Sequence, residues 1–248
     1  MARKMRMYAM AGAAVHFLFL VGCSEKSTAP AAPQAVETGP VDTPRPQGDE
    51  RLVLAFGDSL FAGYGLGEGE GLPARLETRL RKAGVNATVV NAGVSGDTTA
   101  AGRQRLAFTL DSLKRAPDLV ILGLGGNDAL RQLSPAETRA NMMAMMVELE
   151  LRNIRVLLTG MRAPPNLGPD YAMAFDPIWP DLAKQYGAGL YPFILDGVIT
   201  DPALMQRDGI HPTTAGVERM ADAIAPLALK ALPPKRREAP DEDRPREP

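Results

Sequence analysis

Two of the residue types from which proteins most often build reactive or metal sites are nearly missing here. The chain of 248 residues has one cysteine, Cys23, and two histidines, His16 and His211. A single thiol excludes any intramolecular disulfide. With only His211 in the folded part and no spare cysteine, a zinc site is poorly supplied, and no metal is expected. Net charge is also small. A formal value of −1 gives no electrostatic footprint for nucleic acid, and no such partner is expected. No phosphate-binding signature follows the first strand, neither Gly-x-Gly-x-x-Gly nor a Walker-type lysine, which weakens a nucleotide-binding reading and leaves no cofactor to expect. Long apolar runs are absent too: the longest, Tyr8 to Val21, is short against the ~20 residues that span a bilayer.

What is present divides the chain into four parts. Residues 1–23 read as an export signal, with a basic start at Arg3, Lys4 and Arg6, an apolar core, and Leu20-Val21-Gly22-Cys23 at its end. That ending resembles the lipobox of bacterial lipoproteins and makes Cys23 the expected lipidation site. An incidental cysteine near an ordinary cleavage site, or an uncleaved anchor, is the alternative. Residues 24–49 are rich in Pro, Ala and Thr without apolar periodicity and read as a tether. Residues 50–232 form the folded domain, and 233–248 are a charged, proline-rich tail expected to be disordered. The expected location is the bacterial cell envelope, exported and held on the periplasmic side of a membrane by the lipid on Cys23. Hydrophobic residues at 45% and charged residues at 23% are ordinary for the globular part.

Within that part, apolar runs alternate with helical patterns. Leu52 to Phe56, Val85 to Val90, Leu119 to Leu124 and Ile154 to Thr159 read as strands, with a weaker fifth at Leu190 to Ile194 whose Pro192 marks an edge. Leu72, Leu76 and Leu80 share one helical face, with Gly84 at its end. Ser134-Pro135-Ala136-Glu137 predicts a capped helix start, and the methionines at 142, 143, 145 and 146 predict core filling. Tyr171 to Tyr186 reads as one helix, and Thr213 or Thr214 caps a last one running to about Leu229. Strands separated by helices imply an α/β fold with a central parallel sheet of about five strands covered on both faces.

Three loops at strand ends, and one near the last helix, carry chemistry. Gly57-Asp58-Ser59-Leu60 closes the first strand and places Ser59 at a carboxyl edge, where ligands bind in open α/β sheets. A serine nucleophile needs a base, a group to orient it, and donors for the developing oxyanion. His211 and Asp208, in Asp208-Gly209-Ile210-His211, supply the first two. The Gly96 backbone, the Asn127 side chain and the Ser59 backbone supply the donors. Taken singly, each has an ordinary reading: a turn at Gly96, a helix cap at Asn127-Asp128, a turn at Asp208-Gly209. Four such coincidences at separate loops are harder to accept than one site. Phe61 stands where the second glycine of a Gly-x-Ser-x-Gly elbow would be, so an ordinary α/β-hydrolase is disfavoured.

Gly57-Asp58-Ser59-Leu60, the Gly96 loop, Gly125-Gly126-Asn127-Asp128 and Asp208-Gly209-Ile210-His211-Pro212 resemble the four blocks of the SGNH (GDSL) hydrolases. The resemblance runs from about Arg51 to Leu229 and is strongest to the bacterial thioesterase I, lysophospholipase and arylesterase branch. It implies a three-layer α/β/α fold of flavodoxin-like type. It also implies Ser59 as nucleophile, His211 as base, Asp208 as its orienter, and Ser59, Gly96 and Asn127 as oxyanion hole. The implied activity is hydrolysis of acyl or aryl esters, and of thioesters or lysophospholipids, through an acyl-enzyme. An inactive envelope lipoprotein that binds ligands or partners is the alternative. Ala163 departs from the bulkier Leu expected at that point in thioesterase-like relatives, so chain-length preference does not carry over.

Overall fold

The computed structural model describes residues 43–234. The export signal, Cys23, most of the tether and all but the start of the tail lie outside the described residues. Five strands form one parallel sheet: β1 (Arg51–Gly57), β2 (Ala87–Gly93), β3 (Leu119–Gly123), β4 (Val156–Thr159) and β5 (Gly189–Tyr191). Their order is β2-β1-β3-β4-β5, so the direction of winding reverses between β1 and β3. That reversal opens the crevice where α/β sheets bind ligands. Helices α1 (Ser59–Ala62), α2 (Leu72–Lys82), α3 (Thr99–Asp111), α4 (Gly126–Leu130), α5 (Pro135–Leu151), α6 (Gly168–Phe175), α7 (Ile178–Tyr186) and α8 (Thr214–Ala231) complete the order. α2 packs on α8, while α3 and α7 pack on α5, giving the three-layer α/β/α sandwich with the fully buried β1 and β3 at its centre.

One packing detail positions the nucleophile helix. Gly57, Gly93 and Gly123 lie side by side in register at the carboxyl ends of β2, β1 and β3. A Cβ on Gly57 would stand 2.2 Å from the Phe61 ring, one on Gly123 2.4 Å from it, and one on Gly93 2.2 Å from the Ala62 nitrogen. The three glycines form a bare floor, and Phe61, fully buried, is the plug that lies on it. The departure at Phe61 from an ordinary elbow thus has a structural use: it anchors α1 flat across the strand ends.

Strand β2 is an edge, and a buried ion pair finishes it. Glu77 accepts a hydrogen bond from the Val89 N–H (2.7 Å), Arg81 Nε donates to the Ala87 carbonyl (3.0 Å), and the two side chains pair with each other. The pair does for β2 what a neighbouring strand would do, satisfying backbone groups that would otherwise be buried unpaired.

Several details differ from expectation. β2 begins at Ala87, because Gly84 (φ +81°) and Val85 are still closing α2, with Val85 N–H on the Leu80 carbonyl. The expected helix Tyr171 to Tyr186 breaks into α6 and α7 at Pro177, beside Asp176, whose carboxylate accepts from the Ala163 N–H (2.8 Å). β5 stops at Tyr191, before Pro192, which has no N–H to give a ladder. Ser134 stands at the start of α5 but its side chain makes no capping bond. Met142, Met145 and Met146 fill the core as expected, whereas Met143 is exposed. Thr213, not Thr214, caps α8, through a bond from the Gly216 N–H (3.3 Å).

Candidate active site

Ser59 is the first residue of α1. Its predecessor Asp58 caps that short helix, accepting from the Leu60 N–H (3.1 Å). Across the crevice, the segment before α8 brings up the imidazole. His211 Nε2 is 2.9 Å from Ser59 Oγ, and His211 Nδ1 is 2.6 Å from Asp208 Oδ2. Asp208 is set by a tight turn in which its other oxygen accepts from the N–H groups of Ile210 (2.9 Å) and His211 (3.0 Å). Gly209, between them at φ +67°, is the residue that permits this turn. The sequence order Asp-Gly-Ile-His therefore folds the orienting carboxylate back onto its own histidine.

Several contacts outside the four motifs steady this segment. Gln206 N–H donates to the His211 carbonyl (2.7 Å), and its side-chain amide reaches the Tyr64 (2.8 Å) and Pro212 (2.9 Å) carbonyls. The Tyr64 ring lies over the imidazole at 4.4 Å between centroids. Neither Tyr64 nor Gln206 carries a recognisable sequence signal, because each acts through tertiary placement.

The donors expected around the nucleophile come together as well. Gly96 sits in the loop after β2 at φ +86°, and its carbonyl accepts from Arg131 (2.8 Å). The Asn127 amide donates one hydrogen to the Asp97 carbonyl (3.0 Å), which fixes its orientation. Among the described residues the N–H groups of Ser59 and Gly96, and the second amide hydrogen of Asn127, have no acceptor. Asp128 caps a helix other than its own. Its carboxylate accepts from the Thr99 N–H (2.8 Å), the Thr99 hydroxyl and the Thr138 hydroxyl (3.1 Å), tying the start of α3 to α4 and α5.

Two carboxylates of the site are pushed in opposite directions. The hydrogen bonds from the His211 ring, the His211 N–H and the Ile210 N–H hold Asp208 down to about 2, so it stays ionised across the working range. Burial pushes Asp58 up to about 7, only partly opposed by the Leu60 N–H. Asp208 is thus suited to stabilising an imidazolium, and Asp58 to a largely uncharged structural role. The arrangement can carry out acyl transfer at a serine: base, orienter and unpaired donors all face one point.

Among the described residues no three His, Cys, Asp or Glu side chains cluster to hold a metal, and no helix is long and apolar enough to cross a membrane. The largest cavity, about 700 Å³, is lined by Arg155, Val156, Gly189 and Lys230 at the amino ends of β4 and β5. It lies at the opposite edge of the sheet from the Asp208–His211–Ser59 relay, none of whose residues line it.

Residues 55–219 match the GDSL-like Lipase/Acylhydrolase family. The chain is 40% identical over 186 residues to Esterase TesA of Pseudomonas aeruginosa, covering 75% of this chain and 91% of that protein. It is 37% identical over 173 residues to thioesterase 1/protease 1/lysophospholipase L1 of Escherichia coli, covering 70% of this chain and 81% of that protein. Among solved structures, AlinE4, an SGNH-hydrolase family esterase, superimposes with a TM-score of 0.64 at 57% identity, covering 75% of this chain and 99% of that one.

Proposed function

The chain belongs to the GDSL-like lipase/acylhydrolase family and is an esterase, and from that premise we propose that Ser59, His211 and Asp208 perform its chemistry. Ser59 Oγ attacks the ester carbonyl while His211 Nε2 takes its proton. Asp208 holds the Nδ1–H and stabilises the imidazolium. The Ser59 and Gly96 N–H groups and the Asn127 amide receive the oxyanion of the tetrahedral intermediate. Its collapse breaks the bond to the alcohol oxygen, which leaves with the proton from His211, and the acyl group remains on Ser59. Water then attacks with His211 again as base, and the acid is released. The observation that carries this reading is the continuous relay from Asp208 through His211 to Ser59, facing donors that have no other acceptor.

The relatives' names include thioesterase and lysophospholipase as well as esterase. The same steps serve acyl and aryl esters, thioesters and lysophospholipids, and no step calls for a cofactor. Ala163, half-buried against the core, leaves the acyl-chain preference to be measured on this protein. A panel of p-nitrophenyl esters of graded length, with acyl-CoA and lysophospholipid alongside, ranks these classes. Failure to turn over every member would count against the reading. The enzyme is placed in the cell envelope, exported and tethered by a lipid on Cys23, because residues 1–23 have the pattern of a lipoprotein signal and a proline-rich stretch follows. Labelling with a clickable fatty acid should mark the wild type and not Cys23→Ala. Labelling of both, or of neither, removes the anchor.

A further inference from the structure

The three donors proposed for the oxyanion come from three loops, and one side chain outside every motif holds those loops together. Arg105 lies in the middle of α3, half-buried, with its guanidinium under the crevice. Its Nε donates to Asp97 Oδ2 (2.6 Å) and its Nη2 donates to the Gly57 carbonyl (2.8 Å). The guanidinium carbon stands 3.8 Å from the centroid of the Phe56 ring. Gly57 ends β1, two residues before Ser59. Asp97 follows Gly96 directly, and its own carbonyl is the acceptor that orients Asn127 (3.0 Å).

We propose that Arg105 is the positioning residue of the oxyanion site, setting the separation of the Ser59, Gly96 and Asn127 donors by bridging the Gly57 carbonyl and the Asp97 carboxylate. The guanidinium suits this task because its planar fork directs two N–H groups at fixed angles, and stacking on Phe56 holds the plane still. Arg131, the other cation on this loop, holds Gly96 by its carbonyl from an exposed position and does not touch the β1 end. Arg105 alone joins the nucleophile's strand to the donor loop. It reaches no reacting atom, so its effect passes through the donors it spaces. The inference rests on the oxyanion assignment proposed above.

A double-mutant cycle tests it and separates the two claims. Arg105→Met keeps the stem on Phe56 and removes the bridge. It should lower kcat by about 10²-fold with KM within about threefold, the usual cost of a displacement near 1 Å at the chemistry. In the Asn127→Ala background, where the oriented donor is already gone, the same change should cost kcat less than about tenfold, because residues acting as a unit are non-additive. Equal losses in both backgrounds would overturn the positioning role while leaving the oxyanion assignment standing. An Asn127→Ala enzyme with undiminished kcat would overturn the assignment itself, and the inference with it. If Arg105→Met fails to fold, Arg105→Lys retains the charge but cannot make both bonds. A folded Arg105→Lys enzyme with reduced kcat and unchanged KM supports the bridge, and one with full kcat sinks it.

Discussion

The two sides of the crevice are built differently. The nucleophile side consists of strand ends: Ser59 on a helix laid over three glycines, Gly96 and Asn127 on loops fastened by Asp97, Arg105 and Asp128 to buried structure. The base side is a stretch between the sheet and α8, with Asp208 about one-third exposed, held by its own turn, Gln206 and the Tyr64 ring. Donors that must meet developing charge gain from rigidity, because they then need no reorganisation at the moment of reaction. A base that takes a proton and later gives it to a leaving group has a different requirement, correct tautomer and reach, which a short turn with one carboxylate supplies. In this molecule the sheet positions the electrostatics and a surface turn positions the acid–base group.

The comparison can be broken from either side. The largest effect is expected on the base side: His211→Gln should lower kcat by about 10⁴-fold, as loss of a correctly disposed imidazole does in serine hydrolases. Steady-state kinetics with retained circular dichroism checks this, and near-normal turnover would remove the base assignment. On the strand side, Asn127→Ala should cost about 10²–10³ in kcat with a smaller change in KM. A purely KM effect would mean that Asn127 only binds the ground state.

Asp58 sharpens the contrast through stability. Its folded pKa, about 7, lies above the unfolded value near 3.8, so the native state binds the extra proton between those limits. Its contribution is fully present below about pH 4 and is lost as pH rises through 7. Asp58→Asn should remove that decline, making the variant the more stable protein at pH 8 by at most about 4 kcal/mol and nearly equal at pH 4. Chemical denaturation of both proteins across this range gives the difference curve, and parallel curves would refute the buried-carboxyl account. The smallest effect belongs to the base side again. Gln206→Ala removes two hydrogen bonds that steady the turn, and at about 1 kcal/mol of net loss should slow kcat by roughly fivefold. An unchanged kcat would show that the Asp208 turn holds His211 unaided.

The residues that do chemistry were legible in the sequence for a physical reason. Ser59, Gly96 and Asn127 each follow an apolar run that ends in glycine, and that pattern marks the carboxyl end of a buried strand. Asp208 and His211 were legible because the turn that joins them is local. What was not legible depends on distant contacts. Helix α3 has buried Leu106 and Leu110 but no regular apolar stripe, and passes for a polar connection. Arg105 within it looks like any helical arginine until Asp97 and Gly57 are brought beside it. Asp128 could be read as a cap, but not as the cap of α3, which lies earlier in the chain. The break at Pro177 was overlooked because the apolar residues on either side continue a helical spacing.

The most direct test of the account is where the covalent intermediate forms. The wild-type enzyme and Ser59→Ala should be treated with a fluorophosphonate, measured by intact-mass spectrometry, and digested to map the adduct. The account predicts one adduct per chain on Ser59, with complete loss of labelling and of esterase activity in a folded Ser59→Ala protein. Stoichiometric labelling at another residue, or an active Ser59→Ala enzyme, would contradict it.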